Sequence, residues 1–590
     1  MTIRLEFIIA TPTGRNRGAR ASAAQKGWPH TAAPRFPDRL HSDQMATGAQ
    51  RLASHGGLAR SPLTLRIALV AFGVLNAILY ASLMPLWEGF DEPFHYGYVQ
   101  QLSELRTLPV FGKASLSDEV ITSLRVAPAS YVVKRNLPGV ITFEEYFQMS
   151  AGQKQKLREQ LQGLPRGYRI LDCVNYEAQQ APLAYAVLAP FDRLWDSASL
   201  PERVWRLRLI CAIFAAVATA LLLLSLARSL GLPWRLEAPL IFVVLSGQMF
   251  YATTAHIAND WLAAPLLLAL FDRAVAVWKS PTLRNGLLLT LATVAGLLTK
   301  AYFLAMAPLV LGVFVALAVK RWISWRAVTL FCVILLVGAG PWYARNLSLY
   351  RNLDGVQWTN GGTNWPALIA AFFRLPWPRA LKDMAFATLW TGNNSYRSFS
   401  AGALSMLILG AVAAAIAYVA DAVRRRRMAG AEFIAISGLA LYGASLLYSA
   451  TVAFWTSQGA ARTATPWQIE AAVPVLLAVL FLGLGRAGAL GRVIAAWLVA
   501  WSSYIICATY WAKLIPLYAG NMEGRTVLLQ LVSWYRNNLS AILDDSYPVM
   551  LGSPRLVLLL AAIVALGALA LAAILVVSQF RRERSASDSL

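Results

Sequence analysis

Charge is scarce in this sequence: 14% of its 590 residues are Asp, Glu, Lys or Arg, against roughly 25% in a soluble globular protein. A chain this poor in charge, 57% hydrophobic and with a mean hydropathy of +0.51, cannot cover a water-facing surface of its own size, and a bilayer is the solvent it suits. Histidine and cysteine are scarce too, at five and four residues. Cys211, Cys332 and Cys507 fall in apolar segments and only Cys173 in a polar loop, which excludes a disulfide framework and a cysteine zinc site. The first apolar run, Leu5 to Ala10, is too short for a secretory signal, and no cleavage-like small-residue site follows a longer one. No repeat of solenoid length is present, and no inverted repeat is evident.

Positive charge is present in excess, with a formal net charge of +23. The basic residues stand beside apolar runs rather than forming one basic face with interleaved aromatics, so they read as topology signals and not as a nucleic-acid surface. Twenty Trp and twenty-one Tyr suit interfacial belts and also buried packing. The stretch 1–62 is rich in Ala, Gly, Arg and Ser without hydrophobic periodicity. It is expected to be a disordered, basic cytoplasmic tail, with Met45 as an alternative start.

The remaining organisation is an all-α polytopic membrane domain over 63–578, followed by a short cytoplasmic tail, 579–590. Apolar windows predict about twelve transmembrane helices: 64–86, 204–228, 236–255, 260–278, 284–299, 302–320, 326–343, 399–423, 432–455, 468–484, 493–511 and 556–577. From a cytoplasmic N-terminus this alternation puts Arg228/Arg235, Lys279/Arg284, Lys320/Arg321/Arg326, Arg424 to Arg427, Arg486/Arg492 and Arg581/Arg582/Arg584 all inside. Both termini are then cytoplasmic. Two long loops face outward. The first, 87–203, holds nearly half of the thirty acidic residues and includes an amphipathic stretch over 143–161. The second, 344–398, is basic although it lies outside, with Arg345, Arg351, Arg374, Arg379, Lys382 and Arg397 against Asp354 and Asp383. Such an exception to the charge rule asks for an anionic partner, either lipid head groups or a phosphorylated substrate.

After the first span the chain reads Trp87-Glu88-Gly89-Phe90-Asp91-Glu92-Pro93-Phe94-His95-Tyr96, and Phe94, Tyr98, Leu102 and Leu105 recur at helical spacing. A helix therefore starts near Pro93. Asp91 and Glu92 have two readings: acceptors of backbone N–H bonds as an N-cap, or a base where the first span meets the outer surface. His95 lies one turn beyond Asp91, so both can face one cavity. A metal site would need further ligands, and none is assigned.

The order of these signals resembles the GT-C superfamily of polyprenyl-phosphate-sugar-dependent glycosyltransferases, which includes protein O-mannosyltransferases and aminoarabinose transferases. The matching residues are Asp91-Glu92-Pro93-Phe94-His95; the run Tyr176-Glu177-Ala178-Gln179-Gln180-Ala181-Pro182-Leu183-Ala184-Tyr185; Asn259-Asp260; Leu298-Thr299-Lys300; and Gly340-Pro341-Trp342-Tyr343-Ala344-Arg345-Asn346. The resemblance covers about 63–486. The Asp-Glu-Pro-x-His variant is also similar to a family of predicted bacterial membrane proteins.

The resemblance implies a GT-C-like fold with a large, partly helical first extracytoplasmic loop. It also implies a first-loop acid as base, which by position is Asp91, with Glu92 as substitute or helper. A sugar on a polyprenyl phosphate leaves behind a phosphate anion that needs no proton, so one base and several cations suffice. Lys300, Arg345 and Arg462, all at outer helix ends, are the candidate phosphate cations; snorkelling to lipid phosphates is the bland alternative. Asp260 and His95 are candidate supporting residues, Asp260 being equally suited to capping its helix. Gln180 and Tyr185, beside Pro182 where the loop returns to the membrane, are candidates to line an acceptor cavity. No cofactor is assigned, and a divalent ion is left open. The expected partners are a polyprenyl-phosphate sugar, a lipid, glycan or protein acceptor and membrane lipids, in a bacterial cytoplasmic membrane with the site outside. A lipid-linked-sugar flippase or other polytopic transporter is the competing class. Coupled transporters place ionisable groups near the midplane, and here the span interiors are almost free of them.

Overall fold

The computed structural model describes residues 63–131, 133, 139–168, 173–355, 364–389, 395, 399–521, 528–544 and 552–580. The basic leading segment with Met45, Arg397, and the tail from Arg581 lie outside these residues. Helices form nearly all of the regular structure, and among the described residues there is no strand, only isolated bridges between Ser115 and Val174 and between Ala129 and Thr142.

Among the described residues, ten helices are long and apolar enough to cross a bilayer, and a bent pair makes an eleventh. Each of the twelve expected windows corresponds to one of these or to a shorter helix, and the departures are informative. The 236–255 window is a broken element, Trp234–Leu245 and Gln248–Thr254, bent by 57° at Ser246-Gly247. The 284–299 window is a 15-residue helix, Leu283–Leu297, about 22 Å long against a hydrocarbon core of about 30 Å. It stops short, and the chain turns through Leu298-Thr299-Lys300 into the 3-10 turn Ala301–Met306. Leu200–Leu230, by contrast, has 31 residues and a length of about 46 Å. Its first turns carry Arg203 and Arg208.

The first loop contains helices Glu92–Glu104, Asp118–Val126, Phe143–Gln148, Ala151–Gln162 and Leu183–Leu194. The expected single amphipathic stretch over 143–161 is two helices. Thr142 with Glu145, and Ser150 with Gln153, form reciprocal capping boxes, so the second box starts a new helix where the first one ends. The 326–343 window runs on to Tyr350, which makes Arg345 a helical residue rather than the start of a loop. Beyond it lie two short helices, Trp365–Arg374 and Trp377–Ala387, and a further helix that the apolar windows missed, Leu528–Asp544.

Two apolar clusters organise the molecule. One fills the helix bundle, with Leu69, Phe72, Tyr80, Phe242, Leu267, Phe271 and Phe481 among its buried members. The other seats the first loop on the bundle through Trp87, Tyr96, Tyr98, Leu116, Tyr185, Val204, Ile257 and Trp261. At the end of the bundle away from the loop, Glu432 is held by Arg425 at 2.9 Å and Arg486 at 3.1 Å, which ties three helix ends together. Arg66 and Glu237, 3.4 Å apart, lie at that end too.

Candidate functional site

Three interrupted connections meet beneath the first loop: residues 84–91 after the first span, 255–259 after the bent pair, and 298–300 after the short helix. Irregular backbone at membrane depth is tolerated where protein buries it or where it lines a polar cavity, so this meeting point is where polar side chains belong.

Asp91 occupies the N-cap position of Glu92–Glu104 in a left-handed conformation, φ 55°, which Asp tolerates better than most residues. Its side chain makes no capping bond. Instead Oδ1 accepts from the Tyr176 hydroxyl at 2.5 Å. The Tyr176 ring packs on Phe94 with centroids 4.1 Å apart, and Asn175 Nδ2 donates to the Phe94 carbonyl at 2.9 Å, so the loop's return is clamped to the helix that Asp91 begins. Gly89 lets this backbone pass close to 256, since a Cβ there would sit 2.7 Å from that of His256.

The other members converge from separate elements. His95 Nδ1 and the Tyr185 hydroxyl are 2.8 Å apart, and the Tyr185 ring stacks on Tyr98 at 4.1 Å. Tyr98 donates to the Gln180 carbonyl, while Gln180 Oε1 accepts from Asn259 Nδ2 at 3.1 Å. Asn259 makes no side-chain capping bond to the helix it precedes, and Asp260 lies in that helix's first turn. Asp260 pairs instead with Lys300, Oδ1 to Nζ 2.5 Å. The Leu183 N–H donates to the Leu298 carbonyl at 2.9 Å and joins the loop's return to the lysine's turn.

Six of the sequence-predicted residues, Asp91, His95, Gln180, Tyr185, Asp260 and Lys300, are thus brought into one neighbourhood. The others are engaged differently. Glu92, next to Asp91 in sequence, is fully buried against fully buried Arg208, which takes both its oxygens; Nε lies 2.7 Å from Oε1. Oε1 also accepts the Ile257 N–H at 3.0 Å, so Glu92 is engaged in a structural ion pair. Arg345 donates to the Pro109 carbonyl at 2.7 Å and stacks on Trp342, with Nη1 buried and unpartnered among the described residues. Arg462 is paired with Asp383 at 3.0 Å, both side chains partly exposed.

Electrostatics separates the acids. Burial raises the Asp91 carboxyl, opposed by the Tyr176 hydrogen bond and by Lys300. Burial also opposes ionisation of Glu92, but Arg208 outweighs it and the net shift is downward. His95 is held well below its ordinary value by burial first and then by Lys300 and His256, and is neutral at pH 7. Glu177 is pushed up to about 8 by burial, with the Asp91 charge adding to it.

Sequence reasoning missed the roles of Tyr176, Glu177 and Arg208. The first two stood in the quoted run without a task. The signal for Arg208 was a guanidinium within the head of an apolar window, which asks for a buried acid. Glu88 was passed over as well. It is fully buried, accepts the Ser395 N–H at 2.6 Å and the Tyr518 hydroxyl at 3.3 Å, and is raised by burial to about 7. Three span-borne groups also qualify the reading of charge-free interiors: Arg208, the adjacent Asp272 and Arg273, and Glu470, buried with Oε2 unpartnered among the described residues.

No family model matches the chain, and no curated protein matches it in sequence. Among solved structures it is similar to ArnT from Cupriavidus metallidurans bound to undecaprenyl phosphate, with a TM-score of 0.40 and 13% identity over 87% of this chain and 77% of that one. The same protein in the apo state gives 0.39 and 15% over 91% and 78%. The Archaeoglobus fulgidus oligosaccharyltransferase in the apo form gives 0.38 and 12% over 87% and 56%. Among the described residues, no group of three or more His, Cys, Asp or Glu is arranged to hold a metal ion.

Proposed function

We propose that this protein is an integral membrane glycosyltransferase that moves a sugar from a polyprenyl-phosphate donor to an acceptor hydroxyl. The observation that carries the reading is Asp91: a half-buried acid with no arginine partner among the described residues, raised by desolvation, beside the Lys300–Asp260 pair where the first span leaves the bundle. A carboxylate of raised pKa is a stronger base than an exposed one, and no salt bridge must break before it acts.

In the reaction, the acceptor oxygen bonds to the anomeric carbon as the bond from that carbon to the phosphate oxygen breaks. The acceptor proton passes to Asp91 and polyprenyl phosphate leaves with the electron pair. Lys300 supplies positive charge for the phosphate, and the free Nη1 of Arg345 is suited to a further contact. Arg462 would act at the rim after exchanging Asp383 for substrate. His95, fixed by Tyr185, and Gln180, fixed by Asn259, furnish rigid polar groups for a sugar or acceptor hydroxyl.

The basic clusters at Arg228/Arg235, Lys279/Arg284, Lys320/Arg321/Arg326, Arg424 to Arg427 and Arg486/Arg492 fall at helix ends away from the site. This distribution supports an extracytoplasmic site under the charge rule. The test is to reconstitute the protein with a polyprenyl-phosphate sugar labelled in the sugar. Transfer releases free polyprenyl phosphate in amounts equal to the label entering acceptor. A flippase would move the intact lipid between leaflets and release none, and that outcome would replace the proposal.

A further inference from the structure

Glu177 is the buried acid that a one-base reaction leaves idle. It lies in the 3-10 turn Tyr176–Gln179, one residue after the tyrosine that holds Asp91. Asn175 Oδ1 accepts its backbone N–H at 3.0 Å, and the Gln180 side chain, itself held by Asn259, bonds to its carboxylate. The remaining oxygen, Oε2, is buried without a hydrogen-bond partner among the described residues and lies 3.9 Å from His95 Nδ1. An orphaned oxygen in an otherwise bonded polar cluster asks for a ligand.

The groups that face it come from five elements. They are Asp91 and His95 at the start of Glu92–Glu104, Tyr176 in its own turn, Tyr185 in Leu183–Leu194, Asp260 at the head of its span, and Lys300 in the turn before Ala301–Met306. Three carboxyls therefore share one ammonium. Fully ionised, they would leave the site net negative and repel an anionic phosphodiester. A single proton relieves the conflict, and local bonds choose its seat. Tyr176 donates to Asp91 and Lys300 pairs with Asp260, both favouring charge, whereas Glu177 Oε2 receives no donor.

We propose that Glu177 works as a neutral carboxylic acid whose Oε2 hydroxyl donates a hydrogen bond to the donor's phosphodiester, a role that rests on the glycosyl-transfer reading. Ionising Glu177 then removes the bond and adds a repelling charge. Burial, and next the Asp91 charge, place that event at about pH 8. His95 stays neutral above its depressed value, and burial keeps the Tyr176 and Tyr185 hydroxyls protonated over the same range.

The experiment uses the full-length protein in phosphatidylcholine nanodiscs and, as probe, the methyl ester of a polyprenyl phosphate, whose single negative charge does not change between pH 7 and 9. Because apparent affinity scales with the binding-competent fraction, the wild-type Kd should rise about tenfold from pH 7 to pH 9. Glu177→Gln, isosteric with the protonated acid, should bind with a Kd that is flat over this range. Glu177→Ala should also be flat, but weaker at pH 7. A tenfold alkaline loss that persists in monodisperse Glu177→Gln or Glu177→Ala protein would overturn the assignment, as would a wild-type Kd that ignores pH. Failure of the wild type to bind the probe at any pH, together with no sugar transfer, would remove the transferase reading itself. Transfer with a pH-indifferent Kd removes only the role of Glu177.

Discussion

Replacing Arg208 with Met should cost far more stability than any other single change at the site. Arg208 is fully buried; it pairs with fully buried Glu92 and donates to the carbonyls of Met84 at 2.7 Å and Pro85 at 2.9 Å. Methionine matches much of the volume but leaves a buried carboxylate uncompensated and two carbonyls without donors. Breaking a buried pair from one side costs about 3–5 kcal/mol. Glu92→Gln should cost less, because the amide oxygen still accepts one guanidinium bond. Thermal stability in nanodiscs, followed as loss of the monodisperse chromatographic peak, measures the effect. The double variant should be more stable than the sum of the two losses predicts, since neither charge then remains stranded. If Arg208→Met melts with the wild type, or the two losses simply add, the buried pair does not hold the first loop to the bundle.

Other outcomes follow from the same contacts. Tyr176→Phe removes the donor that favours ionised Asp91, so the Asp91 pKa rises further and the acid limb of the rate profile moves to higher pH; an unmoved limb would separate the two residues. Lys300→Met should raise the donor KM at least tenfold and leave Asp260 without its cation, whereas a lipid-anchoring lysine would leave turnover kinetics unchanged. Gly89→Ala should cost about 1–3 kcal/mol, because the new methyl meets His256 with little room to give, and this is read as a lowered melting temperature.

Much of the bundle was legible because a span leaves a long apolar signature, and each predicted window has its helix. The sequence also pointed to where helices stop: the Thr-x-x-Glu and Ser-x-x-Gln boxes that divide 143–161 stand in plain view at Thr142 and Ser150. What periodicity cannot reveal is direction. Asp91 and Glu92 are neighbours with one charge type, yet the left-handed turn at Asp91 sends one carboxyl toward Tyr176 and the other into Arg208, 116 residues away. Tyr176 and Glu177 were opaque for the same reason, since their partners Asp91 and His95 come from another stretch of the loop. The Leu528–Asp544 helix escaped because it is amphipathic, with Gln530, Ser533, Arg536 and Asn537 interrupting any apolar window. Lys300 was visible at a predicted junction, but its pairing with Asp260 depends on a helix too short to cross, and only the fold supplies that.

The central claim is that Asp91 takes the acceptor proton, and its most direct measurement is single-turnover sugar transfer by Asp91→Asn in nanodiscs. The account predicts a fall of about 10²- to 10⁴-fold in the chemical step, with unchanged melting temperature and little change in probe affinity. An Asp91→Asn protein that transfers sugar at the wild-type rate would contradict it.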